Sequence, residues 1–193
     1  MAKKTQTATS STTSLIAVIA AALVLVWAGS FCYWWARRSA CPSLSGWGTG
    51  IKANNSHSGT QLTGVTAVSW NCYDRVVINL GETAVHYNVR YVNDVTTQGK
   101  GDSLSLSGGA KLAIDIDAAS YSTDSVPWQT VYPATVGQTL PGVNLNGYAS
   151  LKDAKWGGSF EGQSTIGLGI KSKLSFRVVT DGNQMYIDIA HKQ

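Results

Sequence analysis

Apolar and polar positions fall into three regimes along the chain. Residues 1–14 (MAKKTQTATSSTTS) are polar and rich in Ser and Thr, too poor in apolar surface to offset the entropy of ordering, so a disordered tail is expected. Residues 15–36 (LIAVIAAALVLVWAGSFCYWWA) hold no charge, and a helix of that length rises roughly 33 Å, the thickness of a hydrocarbon core. A transmembrane helix is expected there. Its far end carries Trp27, Tyr33, Trp34 and Trp35, rings that favour a membrane interface, with Arg37 and Arg38 directly after them.

The third regime opens without periodicity. Residues 37–62 contain Pro42, Gly46, Gly48, Gly50, Gly59 and the run Asn54-Asn55-Ser56, and they read as a linker. Beyond it the period becomes two. Val76, Ile78 and Leu80 alternate with Arg75, Val77 and Asn79; Val85, Tyr87, Val89 and Tyr91 with His86, Asn88 and Arg90; Leu112, Ile114 and Ile116 with Lys111, Ala113 and Asp115. Each run predicts a strand with one buried face. Near the C-terminus Leu174, Phe176 and Val178 alternate with Ser175, Arg177 and Val179, and Asp181-Gly182 has the composition of a two-residue hairpin turn.

Pairing Thr180 with Asn183 sets Val178 against Met185, Phe176 against Ile187 and Leu174 against Ile189, apolar on apolar throughout. Ile166, Leu168 and Ile170 come into phase with them if Lys171-Ser172-Lys173 is a loop, so a meander is expected to close the domain. Residues 117–124 allow a short helical turn, and 125–146, with Pro127, Pro133 and Pro141, read as a long loop. With no other 3.6 period, residues 63–193 are expected to be all-β, an antiparallel β-sandwich or partly open barrel behind one N-terminal helix.

Charge sharpens this division. The 15 Lys and Arg exceed the 11 Asp and Glu, but Lys3, Lys4, Arg37 and Arg38 supply the whole formal +4, and beyond Ala40 eleven bases face eleven acids. A domain without a basic stripe is not expected to bind nucleic acid. A cleaved signal peptide competes for the N-terminus, with Ala28-Gly29-Ser30 as a weak cleavage site, yet the apolar run is long for one and continues through bulky rings. Two lysines before the span and two arginines after it leave its orientation open. Cys41 and Cys72, the two thiols outside the span, would pair in an oxidising compartment and close a loop of 31 residues; in a cytoplasmic domain they would be two free thiols.

Candidate chemistry is sparse. His57, His86 and His191 form no metal-binding spacing and neither do the cysteines, so no metal or other cofactor is expected. Asp115 and Asp117 share a strand face about 7 Å apart, a spacing open to an acid/base pair and equally to a solvated face beside Lys111; no catalytic role is assigned. Gly167-Leu168-Gly169 lies inside a strand pattern with no helix after it, which predicts a close backbone approach or a bulge and excludes a phosphate cradle. Arg177 is expected opposite Tyr186 and diagonal to Asp188, in a surface ion pair. Trp128, Trp156, Tyr121, Tyr132 and Tyr148 fall in or beside loops, where they either stack on a ligand or fold inward to seal the ends of the domain.

Several of these runs together suggest a family. Asp74-Arg75-Val76-Val77-Ile78, then Tyr87-Asn88-Val89-Arg90-Tyr91-Val92, then Phe160-Glu161-Gly162 with Gly167-Leu168-Gly169, and Phe176-Arg177-Val178 ahead of Ile187-Asp188-Ile189-Ala190-His191 resemble, in order and spacing, the AMIN-like domain of actinobacterial envelope proteins. The match covers about residues 66–191. The resemblance implies a β-sandwich-like domain, exported and tethered, that binds or positions and brings no catalytic residues. It also implies a cytoplasmic N-terminus and an extracytoplasmic domain. The expectation is a non-enzymatic, single-pass membrane protein that binds a cell-wall glycan or other envelope component through Trp128, Trp156, Phe160 and Glu161. The alternative, motivated by the aromatic-heavy run from Trp27 to Trp35, is an accessory or assembly subunit of a membrane protein complex such as a respiratory one.

Overall fold

The computed structural model describes residues 41, 45–56, 59–82, 85–122, 124 and 126–192. The expected tail, the expected span 15–36 and its interface residues Trp27, Tyr33, Trp34, Trp35, Arg37 and Arg38 lie outside the described residues. Among the described residues twelve strands occur in chain order: β1 (Lys52–Asn54), β2 (Thr60–Ser69), β3 (Tyr73–Leu80), β4 (Tyr87–Val92), β5 (Ala110–Ile116), β6 (Ala118–Ala119), β7 (Tyr121–Ser122), β8 (Gln129–Thr130), β9 (Leu151–Phe160), β10 (Gln163–Ile170), β11 (Phe176–Asp181) and β12 (Gln184–Ala190). Among the described residues there is no helix.

Two five-stranded sheets form, one in the order β1-β4-β5-β10-β9 and one in the order β11-β12-β3-β2-β6, while β7 and β8 make a small ribbon. Pairing is antiparallel except between β2 and β6. The alternation read from sequence orients the strands: on β3 Asp74, Val76, Ile78 and Leu80 are buried while the residues between them are only half-buried. The inner faces share one core, with Leu62, Val76, Ile78, Phe176 and Ile187 from one sheet meeting Val89, Leu112, Ile114, Ile166 and Leu168 from the other. Burying each such side chain contributes about 1.5–3 kcal/mol, which is why the alternation dictates the face.

Both sides of the sandwich are partly closed. Gly48 exchanges backbone hydrogen bonds with Phe176 on β11, and four residues later the chain joins β4 as β1, so residues 48–54 stitch one sheet edge to the other. On the opposite side the chain passes from β5 through Asp117 into β6 and thereby changes sheets. A corner made by a strand that switches sheets gives the sandwich its half-barrel character.

These seams correct the expected linker, since residues within 37–62 supply β1 and the start of β2 and seat Trp47 against Tyr73 at 5.9 Å. The expected helical turn at 117–124 is replaced by β6 and β7, because the chain there is used to cross between sheets. In the last hairpin Phe176 faces Ile189 and Val178 faces Ile187, two residues from the expected register, and Gly182-Asn183 forms the turn. A shift of two keeps every side chain on its own face, so the hydrophobic pattern alone does not choose between these registers. The expected meander is also corrected: β10 pairs with β5 and β9, and residues 171–175 cross to β11 in the other sheet.

A satellite core lies on the outer face of the first sheet, where Val95 and Leu104 pack on Ala113. It depends on Gly167 and Gly169. A Cβ at Gly167 would stand 2.9 Å from Leu106 Cδ1, and one at Gly169 would stand 1.8 Å from the Ser107 carbonyl oxygen. The glycines of this strand therefore allow a loop to lie against it, as their position inside a strand pattern suggests.

Candidate functional site

A cleft of about 660 Å³ opens at the end of the sandwich where β2 begins, β3 ends and β9 turns into β10. Its floor is fixed by backbone: Gly81 N–H donates to the Gln61 carbonyl at 2.8 Å, and Glu82 N–H donates to Thr60 Oγ1 at 2.9 Å. The β9–β10 turn, Glu161-Gly162, has both residues at positive φ, 49° and 82°, the conformation of a tight hairpin turn whose twist matches its strands. Gly162 N–H donates to the Tyr121 hydroxyl at 3.2 Å and so ties that turn to the aromatic wall of the cleft.

One wall is the Tyr121 ring, and Trp128, outside the lining, stacks on it. Tyr121 stacks on Trp128 with centroids 5.1 Å apart and planes 5° from parallel, and the Trp128 side of the pair is 63% exposed, a large apolar area to leave in water. Glu82, Asp124 and Glu161 complete the lining. Ser122 Oγ donates to Asp124, whereas the Glu82 and Glu161 carboxylates have no hydrogen bond or ion pair among the described residues.

The four aromatic and acidic positions read from sequence therefore separate. Trp128 and Glu161 come to the same end of the molecule. Trp156 is corrected: it points inward from β9, is 2% exposed, and packs edge-on against Tyr132 at 5.5 Å, so it belongs to the core and presents nothing to a ligand. Tyr132 is buried with it, which pushes its phenol above the ordinary range. Phe160 is half exposed at the tip of β9, with its ring close to Gly99. Glu82 and Asp124 were not singled out, since isolated loop acids carry no pattern and only the fold brings them together.

Asp115 and Asp117 are engaged in a polar network on the outer sheet face. Asp115 takes Arg90 at 2.6 Å and the Thr165 hydroxyl at 2.6 Å, and Asp117 lies 3.0 Å from His86 Nδ1 and 3.1 Å from Gln163 Nε2. Lys111 instead pairs with Asp94. Each carboxylate thus has cross-strand partners that satisfy it, the solvated-face reading. Arg177 also differs from expectation, sitting directly opposite Asp188 and donating to it at 2.8 Å, while Arg75 donates twice at 2.6 and 2.9 Å. Asp188 is 0% exposed beneath those guanidiniums, of which Arg75 also lies over the Tyr186 ring, so this is a buried structural triad and not a surface pair.

Asp74 is a second buried carboxylate. It accepts from Ser69 Oγ at 2.7 Å, Ser150 N–H at 2.7 Å and Leu151 N–H at 2.9 Å, and its Oδ1 lies 2.9 Å from His191 Nε2. Burial pushes its carboxyl up, but these hydrogen bonds together outweigh burial and hold it below the ordinary 3.8. Cys41 and Cys72 are disulfide-bonded. Among the described residues no cluster of His, Cys, Asp and Glu is arranged to hold a metal ion.

A family model for the AMIN-like domain matches residues 60–191. No curated protein and no solved structure matches the chain.

Proposed function

Because the chain belongs to the AMIN-like domain family, we propose that it is a non-catalytic envelope protein whose extracytoplasmic domain binds a cell-wall glycan at the cleft lined by Tyr121, the ring on which Trp128 stacks. The observation that carries this reading is the exposed, stacked ring pair beside a concave site, the arrangement on which a flat sugar face packs. Residues 15–36 anchor the protein in the membrane with the N-terminus in the cytoplasm. The disulfide-bonded state of Cys41 and Cys72 supports export, since such bonds persist in oxidising compartments. Co-sedimentation of the full-length protein with purified cell wall tests the reading; folded protein that stays in the supernatant at every wall concentration overturns it.

A second reading, an accessory or assembly subunit of a membrane complex, is favoured by individual exposed apolar side chains. Val68, Trp70 and Val179 are exposed large apolar residues of β2, the β2–β3 turn and β11, away from the cleft. Purification in mild detergent followed by mass spectrometry separates the two: stoichiometric co-purifying subunits support this reading, and monomer alone counts against it.

A further inference from the structure

We infer that the cleft takes an amino sugar, its ring against Tyr121 and its ammonium group among Glu82, Asp124 and Glu161. This rests on the wall-glycan reading above and narrows the ligand to a cationic saccharide. The cleft and the Tyr121 ring that lines it make the site, and at about 660 Å³ it falls within the roughly 300–1,000 Å³ of small-molecule sites. The carboxylates set the charge of what fits.

Their distribution over the molecule is uneven. Of the chain's 11 Asp and Glu, six are in ion pairs with Lys, Arg or His. Of the five with no such partner among the described residues, three line this one cleft, and they arrive on separate segments: after β3, after β7 and at the β9–β10 turn. No lysine, arginine or histidine is among the described residues that line it. A concave site with three carboxylates and no local cation holds a negative potential that a neutral glycan leaves uncompensated and a protonated amine offsets.

Calorimetric titration of the full-length protein with two matched probes tests this: a hexamer of glucosamine, at a pH where its amines are protonated, and the corresponding hexamer of N-acetylglucosamine. The glucosamine hexamer is expected to bind at least roughly tenfold tighter, an advantage that shrinks in high salt as the charges are screened. The triple variant E82Q/D124N/E161Q changes exposed side chains only, so its melting temperature stays and its preference falls to about twofold or less. Equal affinities, tighter binding of the acetylated probe, a preference that survives in the triple variant, or no binding of either probe overturns the amino-sugar assignment. If wall co-sedimentation persists in those cases, the broader reading stands and only this narrowing falls; if it is lost too, both fall.

Discussion

Two buried carboxylates show how single residues hold this domain. Asp74 collects donors from β2, from the start of β9 and from the C-terminal His191, so its removal leaves several buried donors unpaired. Asp74→Asn is expected to cost about 3 kcal/mol in denaturant unfolding at neutral pH. The pH dependence follows from the direction of its shift. A carboxyl held below its ordinary 3.8 stabilises the fold above that value, and the contribution is lost as pH falls through the folded-state value. Unfolding midpoints followed from pH 6 down to 2 should therefore fall more steeply for the wild type than for Asp74→Asn below about pH 4. Parallel curves would show that Asp74 is not the responsible group. The motif Asp74-Arg75 was legible in the sequence as a family mark, but its role was not, because the donors that define it come from residues as far away as 191.

At the scale of elements, the alternating runs located β3, β4, β5, β10, β11 and β12 correctly, since each keeps its large apolar residues toward the main core in a single phase. The two ten-residue strands β2 and β9 were missed for identifiable reasons. On β2 the register shifts between Leu62 and Gly64, so the inward residues change phase to Val65 and Ala67. On β9 Lys152, Asp153 and Lys155 interrupt the apolar pattern, Gly157 and Gly158 close it, and the pairing shifts again. Bulges break the period that reveals strands. The same strand-level view gives a prediction at β10. Gly169→Ala would drive a methyl group into the Ser107 carbonyl, and the 94–107 loop and its satellite core must then lift. A loss of about 2–3 kcal/mol is expected in thermal unfolding, whereas the open turn position Gly182 offers no such contact. A neutral Gly169→Ala would contradict the described packing.

At the scale of the molecule, the all-β character of the domain was legible from the alternating pattern, and beyond Ala40 its charges cancel eleven against eleven. The site was only half legible. Trp128 and Glu161 were named, Trp156 was misassigned because a loop-flanking tryptophan and a core tryptophan look alike in sequence, and Glu82 and Asp124 had no local signal. Compartment is a whole-molecule property that the cysteines report. Thiol labelling of the unfolded, unreduced protein from native membranes should leave Cys41 and Cys72 unmodified, and chain-entropy arguments put the bond's contribution at about 3–4 kcal/mol for its 31-residue loop. Labelling of both without reductant would contradict export.

The central claim, that the Tyr121–Trp128 end binds the wall, is tested most directly by the wall affinity of full-length Trp128→Ala measured beside its melting temperature. Trp128 is largely exposed, so melting should be unchanged while affinity falls about tenfold, or about 1.4 kcal/mol. Unchanged affinity in the folded variant would contradict the claim.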